Sequence, residues 1–125
     1  MSKDTAIQVR WLGDVEEHDY PAAESYLHLL HTEDVAHAIV QRLRGASLKQ
    51  FKAKDIFRAS QLPLLAAGNS HVQKDSKKIS DGVLLSPLLL LRDEAQGRVV
   101  IADGYHRLCA VYAVDEDALI HCKIV

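Results

Sequence analysis

The chain has 125 residues, 48% of them hydrophobic and 26% charged, with a formal net charge of −2. That length and balance fit one globular domain with a core of its own, and the charge gives no overall pull toward nucleic acid, although a local basic patch stays open. The longest apolar runs are short and are broken by Pro87 and Arg92, which leaves no membrane-spanning stretch.

Residues 1–5 lead straight into a polar, alternating segment with no signal-peptide pattern, so the expected compartment is the cytoplasm. There the two cysteines, Cys109 and Cys122, both in apolar segments, read as reduced core thiols rather than a disulfide. Between 7 and 12 the residues Ile7, Val9 and Trp11 alternate with polar neighbours, which predicts a short strand or extended arm. Residues 14–19 are acidic and are expected to be exposed. Pro21 suits the first turn of a helix that carries Ala23, Tyr26, Leu27 and Leu30 on one face. Thr32 is placed to cap a second helix, with Glu33 and Asp34 in its first turn and Val35, Ile39 and Leu43 as its stripe. Arg42 and Arg44 suit its last turn and Gly45 its end.

The middle of the chain is less regular. Phe51 and Ala53 fit a short strand, Asp55 can cap a short helix through Ser60, and Pro63 would stop it. Residues 68–82 ("GNSHVQKDSKKISDG") are polar and read as a loop that carries a short helix. The last third is clearest. Residues 87–92 form an apolar strand, 93–97 a hairpin turn, 98–102 a second strand, 105–114 a helix with Leu108, Val111 and Tyr112 on its apolar face, and 118–125 a final strand. The sum is an α/β (α+β) chain: a small mixed sheet with flanking helices and a helical N-terminal extension. It is one domain, with an arm and helical hairpin over 1–47 and a core over 48–125.

Chemistry concentrates in Asp103-Gly104-Tyr105-His106-Arg107. A buried strand ends there, the backbone turns at a glycine, and a helix begins. The first turn of a helix has unpaired N–H groups at the positive end of its dipole, a geometry that favours anions. Gly104 lets an anion approach the backbone. Arg107 can fork onto phosphate oxygens, and the His106 imidazole can donate a hydrogen bond or shuttle a proton. The stretch has neither the GxxxxGK[ST] of a P-loop nor the GxGxxG of a dinucleotide fold. Asp103 has two readings. Its carboxylate can cap the helix and so occupy the same N–H groups, with His106 and Arg107 as solvated first-turn residues. Alternatively it faces a magnesium ion or a substrate hydroxyl beside a phosphate.

The strand, turn, strand, DGYHR box and Ala-containing helix over residues 48–125 together resemble the ParB/sulfiredoxin superfamily. At this place ParB-type proteins have a Gly-Glu-Arg-Arg-like box, sulfiredoxins Gly-Gly-Cys-His-Arg and free serine kinases an Asp-Gly-His-His-Arg-like box. The resemblance implies nucleotide phosphates held at the helix start by Gly104, His106 and Arg107. It also implies contacts from the polar loop over 69–78, with Lys74, Ser76 and Lys77 as members. The candidate ligand-binding set is thus Gly104, Tyr105, His106, Arg107, Lys74, Ser76 and Lys77. The implied ligand is ATP or another nucleotide, or a phosphorylated small molecule, with magnesium as a possible companion.

Departures from the pattern narrow this. Tyr105 stands where a sulfiredoxin has its cysteine, and Cys109 lies one helical turn on, so sulfiredoxin chemistry is not expected. No helix-turn-helix segment follows the core, which argues against a partition clamp. Phosphotransfer to, or hydrolysis of, a small substrate needs a general base. The candidates are Asp103 and Asp81, with His106 beside them. The alternative classes are a nucleic-acid-binding or nuclease-like module and a non-catalytic partner-binding protein.

Other constellations are weaker. His28 and His31, with His37 or Glu24, could bind zinc, but no third ligand at fixed spacing is present, and exposed polar positions are the simpler reading; no metal site is expected. The acidic and imidazole stretch at 16–19 reads as a solvated loop. Lys74, Lys77, Lys78 and Arg58 can join Arg107 in a basic face or can be plain solvated side chains. His71 either faces the site or caps and solvates its own segment. Aromatics are too few to stack bases along a single strand, and Trp11 and Phe57 read as core.

Overall fold

Leu88, Leu89, Leu90 and Leu91 are consecutive and all buried, a pattern that a strand shows only when both faces of its sheet are covered. The computed structural model, which describes residues 8–66 and 68–125, accounts for it. In chain order the elements are α1 (Asp19–Leu30), α2 (Glu33–Gly45), β1 (Lys49–Lys52), α3 (Ala53–Ser60), α4 (Ser70–Ser80), β2 (Leu88–Asp93), β3 (Arg98–Asp103), α5 (Tyr105–Val114) and β4 (Leu119–Ile124). The sheet order is β1-β4-β2-β3. β2 pairs antiparallel with β3 and parallel with β4, and β4 pairs antiparallel with β1. The class is mixed α/β, with helices flanking an open four-stranded sheet.

Strand periodicity sorts the leucines. Leu88 and Leu90 join a core with Ile56, Val72, Ile79, Leu108 and Ile120, on the side of α3, α4 and α5. Leu89 and Leu91 join Ala23, Leu27, Ile39, Val40 and Leu43, on the side of α1 and α2. The N-terminal hairpin is therefore one of the three layers of the domain. Lys123 ties it down: its buried ammonium donates to the Tyr20 hydroxyl (3.1 Å) and to the Arg44 carbonyl (2.9 Å) at the end of α2.

Several expectations shift. Ile7 and the 1–5 segment lie outside the described residues. Val9 and Trp11 do pack on the core, and Trp11 bridges Leu85. α1 starts earlier than Pro21 and buries Tyr20, Ala23 and Leu27, while Tyr26 and Leu30 are exposed. In α2 Ala36 and Val40 replace Val35, which is exposed. Thr32 occupies the N-cap position without a side-chain cap bond. Ala53 begins α3 rather than ending a strand. Most of 68–82 is helix, not loop, because the Asn69 carboxamide accepts from the His71 and Val72 amides and so caps α4. Asp19 is buried, against its expected exposure, for a reason found at the site. Among the described residues no helix is long and apolar enough to cross a membrane.

Candidate functional site

β3 ends at Asp103, and the register of its pairing with β2 shifts between Leu89 and Leu90, beside that end. Irregularities of this kind re-aim side chains at strand ends. Gly104 follows with φ +107°, a conformation that favours glycine. A Cβ there would lie 2.6 Å from Leu88 Cγ and 3.0 Å from Arg107 Nη2. Glycine is thus required both by the turn and by the close packing of Leu88 and Arg107 against its Cα.

Gly104 is also the N-cap of α5 and supplies no side chain to it. The first intrahelical bond runs from Leu108 N–H to the Gly104 carbonyl at 2.9 Å. The amides of Tyr105, His106 and Arg107 precede it and have no acceptor within the helix. The cap reading of Asp103 is therefore corrected: its Oδ2 instead accepts from Arg107 Nη2 at 3.0 Å, one helical turn on.

Arg107 is shared between two carboxylates. Its Nη2 lies 3.4 Å from Oδ2 of Asp19 on α1. That oxygen also accepts from the Ser86 hydroxyl at 2.6 Å, and Ser86 in turn accepts from the Glu16 amide at 3.0 Å. These bonds explain the burial of Asp19, whose charge could not otherwise leave water cheaply. Arg107 Nε is buried with no hydrogen-bond partner, and Nη1 bonds to none of the described residues. Only one arm of the guanidinium is committed. Burial pushes the Asp103 carboxyl above the usual carboxylate range; Arg107 pulls it down and the neighbouring Asp19 adds to the rise.

Across from this turn stands α4. Val72 and Ile79 anchor it in the core. His71, Lys74, Asp75 and Lys78 follow at i, i+3, i+4 and i+7 and share a face. With Asp103, Gly104, His106 and Arg107 they line a cavity of about 220 Å³. The His71 and His106 rings meet at 4.7 Å between centroids and join the two helices at its rim. Five of the eight lining residues are basic or carry imidazole, and no purely apolar side chain lines the cavity.

The structure therefore gathers Asp103, Gly104, His106, Arg107 and Lys74, and resolves His71 toward the site. It leaves out three of the sequence candidates. Tyr105 does not line the cavity; its hydroxyl donates to the Pro63 carbonyl. Ser76 lies off the lining face of α4. Lys77 does too, and pairs with Asp81 at 3.0 Å. Asp81 does not line the cavity either, which removes it as a base for this site. Arg58 pairs with Asp55 and stays outside the basic face. Asp75, Asp19 and Ser86 were missed. Helical spacing from His71 would have found Asp75; nothing local in the sequence marks Asp19 or Ser86.

Both cysteines are buried and unpaired by disulfide. Burial raises the Cys109 thiol and pushes that of Cys122 up to about 12, so neither offers a thiolate. Among the described residues no group of three His, Cys, Asp or Glu side chains could hold a metal ion. His37 pairs with Glu24 at 3.2 Å. A larger cavity of about 440 Å³ between α1 and α2 includes that pair, and its Arg44 is occupied by Glu17 and by the Tyr20 ring. Its His37 and Arg44 are already engaged and it lies away from the start of α5, so the smaller cavity is the better candidate. Comparison with known proteins gives no matching family model, no matching curated protein and no matching solved structure.

Proposed function

We propose that the chain binds the phosphate end of a nucleotide or phosphorylated small molecule in the cavity between α4 and α5. The observation that carries this reading is the convergence of Lys74, Lys78 and Arg107 on the uncapped start of α5. Fixed cations, free amides and a helix dipole are the three elements of phosphate recognition, and each adds to the others. The resemblance of residues 48–125 to the ParB/sulfiredoxin superfamily supports the same placement. Of the candidate cofactors, the phosphates of ATP suit the lining. The base would lie at the rim, beside the His71 and His106 imidazoles. Magnesium would draw on Asp75, or on Asp103 alongside Arg107, which already holds Oδ2.

If chemistry follows binding, phosphoryl transfer or hydrolysis would draw on two groups. Asp103 would take a proton from the attacking hydroxyl, a role that its raised carboxyl range suits. His106 would donate to a phosphoryl oxygen. Small-ligand binding is favoured over nucleic acid because the cations converge on a cavity rather than track across a surface. Isothermal titration with ATP, ADP and pyrophosphate, with and without magnesium, tests the reading. Binding of all three, weakened by added salt, is expected; no binding by any of them removes it.

A further inference from the structure

We propose that Asp103 makes this cavity selective for oxyanions that carry a proton, phosphate and phosphate monoesters, over fully ionised ones such as sulfate. This rests on the phosphate reading above and says which anion the same site accepts.

Selection at this site turns on donors and acceptors. An anion that reaches the amides at the start of α5 and the cations of Lys74 and Lys78 lies beside Asp103, because all of them line one cavity. An ionised carboxylate only accepts hydrogen bonds. Asp103 Oδ2 is taken by Arg107, while Oδ1 bonds to none of the described residues. The Asp103 side chain is 19% exposed, so water screens it little. An ionised anion oxygen set against Oδ1 is repelled. A P–OH set there donates a hydrogen bond instead.

A phosphate monoester loses its second proton near pH 6, so the protonated form is within easy reach at neutrality. Sulfate has no such proton. The balance is one proton between Asp103 Oδ1 and the phosphoryl oxygen. A monoanion brings it along, and a dianion must draw it from solvent. The raised Asp103 carboxyl is in keeping with a shared proton.

The other charged groups facing Asp103 do not supply this discrimination. His71, Lys74 and Lys78 from α4, with His106 and Arg107 from α5, attract an anion whatever its protonation. Asp19 from α1, with His18 beside it, does not line the cavity. Asp75 does line it and is the one rival carboxylate.

The test is titration calorimetry at pH 7 with phosphate, methyl phosphate and sulfate, on the wild type, Asp103→Asn and Asp75→Asn. The wild type should bind both phosphates at least about tenfold more tightly than sulfate, because a site built around one hydrogen bond rejects a ligand that cannot make it. Asp103→Asn should erase the preference by raising sulfate affinity, since a carboxamide can donate to either anion. Equal wild-type affinities, an unchanged ratio in Asp103→Asn, or a collapse in Asp75→Asn instead would each overturn the proposal. If Asp103→Asn does not fold, wild-type titrations in two buffers of different ionisation enthalpy decide. The same titrations in Asp75→Asn then assign any uptake. Uptake of most of one proton with methyl phosphate, which is mainly a dianion at pH 7, and of none with sulfate is expected; equal uptake for the two anions overturns it. Binding of none of the three anions by the wild type removes the phosphate reading itself, and this proposal with it.

Discussion

Arg107 Nη2 stands 3.4 Å from Asp19 Oδ2, which joins the start of the last helix to the start of the first across 88 residues of sequence. The contact makes the N-terminal hairpin a structural part of the site. Asp19 is held from behind by Ser86, so the guanidinium has a fixed partner there and a cavity-lining partner in Asp103.

Arg107→Ala should therefore destabilise the fold as well as the site. It leaves a buried Asp19 and a half-buried Asp103 without their cation, and removing one member of such a group costs about 3–5 kcal/mol. Denaturant melts measure this. A loss below about 1 kcal/mol, the range of surface pairs, would show that the group is solvated instead.

Gly104→Ala should cost about 1–3 kcal/mol for the backbone at φ +107° and a comparable amount for the overlap with Leu88 Cγ at 2.6 Å. The same methyl pushes on Arg107 Nη2. Thermal melts should show a large loss, partly recovered when Leu88 is shortened to Ala in the same chain relative to the sum of the two single changes. A neutral Gly104→Ala would contradict the described turn.

Lys74→Ala and Lys78→Ala should each weaken pyrophosphate binding about tenfold, the loss of one charge-assisted hydrogen bond, whereas Lys77→Ala should leave it nearly unchanged. Lys77 differs only in its place around α4, where it pairs with Asp81 away from the cavity. Equal effects at all three lysines would mean a diffuse basic surface. Calorimetric titration distinguishes the cases.

The Asp103 carboxyl is raised above its ordinary value of 3.8, chiefly by burial and against the pull of Arg107. The folded chain holds that proton more tightly than the unfolded chain. Its contribution to stability is full below 3.8 and is lost as pH rises through the raised folded value. The stability of the wild type relative to Asp103→Asn should thus be greater at pH 4 than at pH 7, by denaturant melts at both. The opposite slope would mean that Arg107 outweighs burial.

Cys109 and Cys122 should resist alkylation at pH 8 in the native fold and react fully in denaturant. Both are buried, and burial raises both thiols. Fast native labelling of either would contradict the core described here.

Local signals carried much of this fold. The strand, turn, strand and helix at 87–114 were legible because four leucines, Gly97 and the glycine turn at 104 speak through nearest neighbours. α4 is harder: its polar composition hides a capped amphipathic helix, and only its helical phase separates Lys78, which lines the cavity, from Lys77, which does not. Asp19 and Ser86 were out of reach. A buried carboxylate looks like an exposed one until the arginine that faces it, 88 residues away, is in place.

The central claim is that phosphate binds at the start of α5 opposite α4. Amide-resolved NMR of the full chain, titrated with pyrophosphate, tests it most directly. The account predicts saturable shifts at the amides of Tyr105, His106 and Arg107 and at the side chains of His71 and His106, with the Trp11 indole unmoved. Saturable shifts centred on the α1–α2 cavity, or no shifts at the start of α5 at millimolar pyrophosphate, would contradict it.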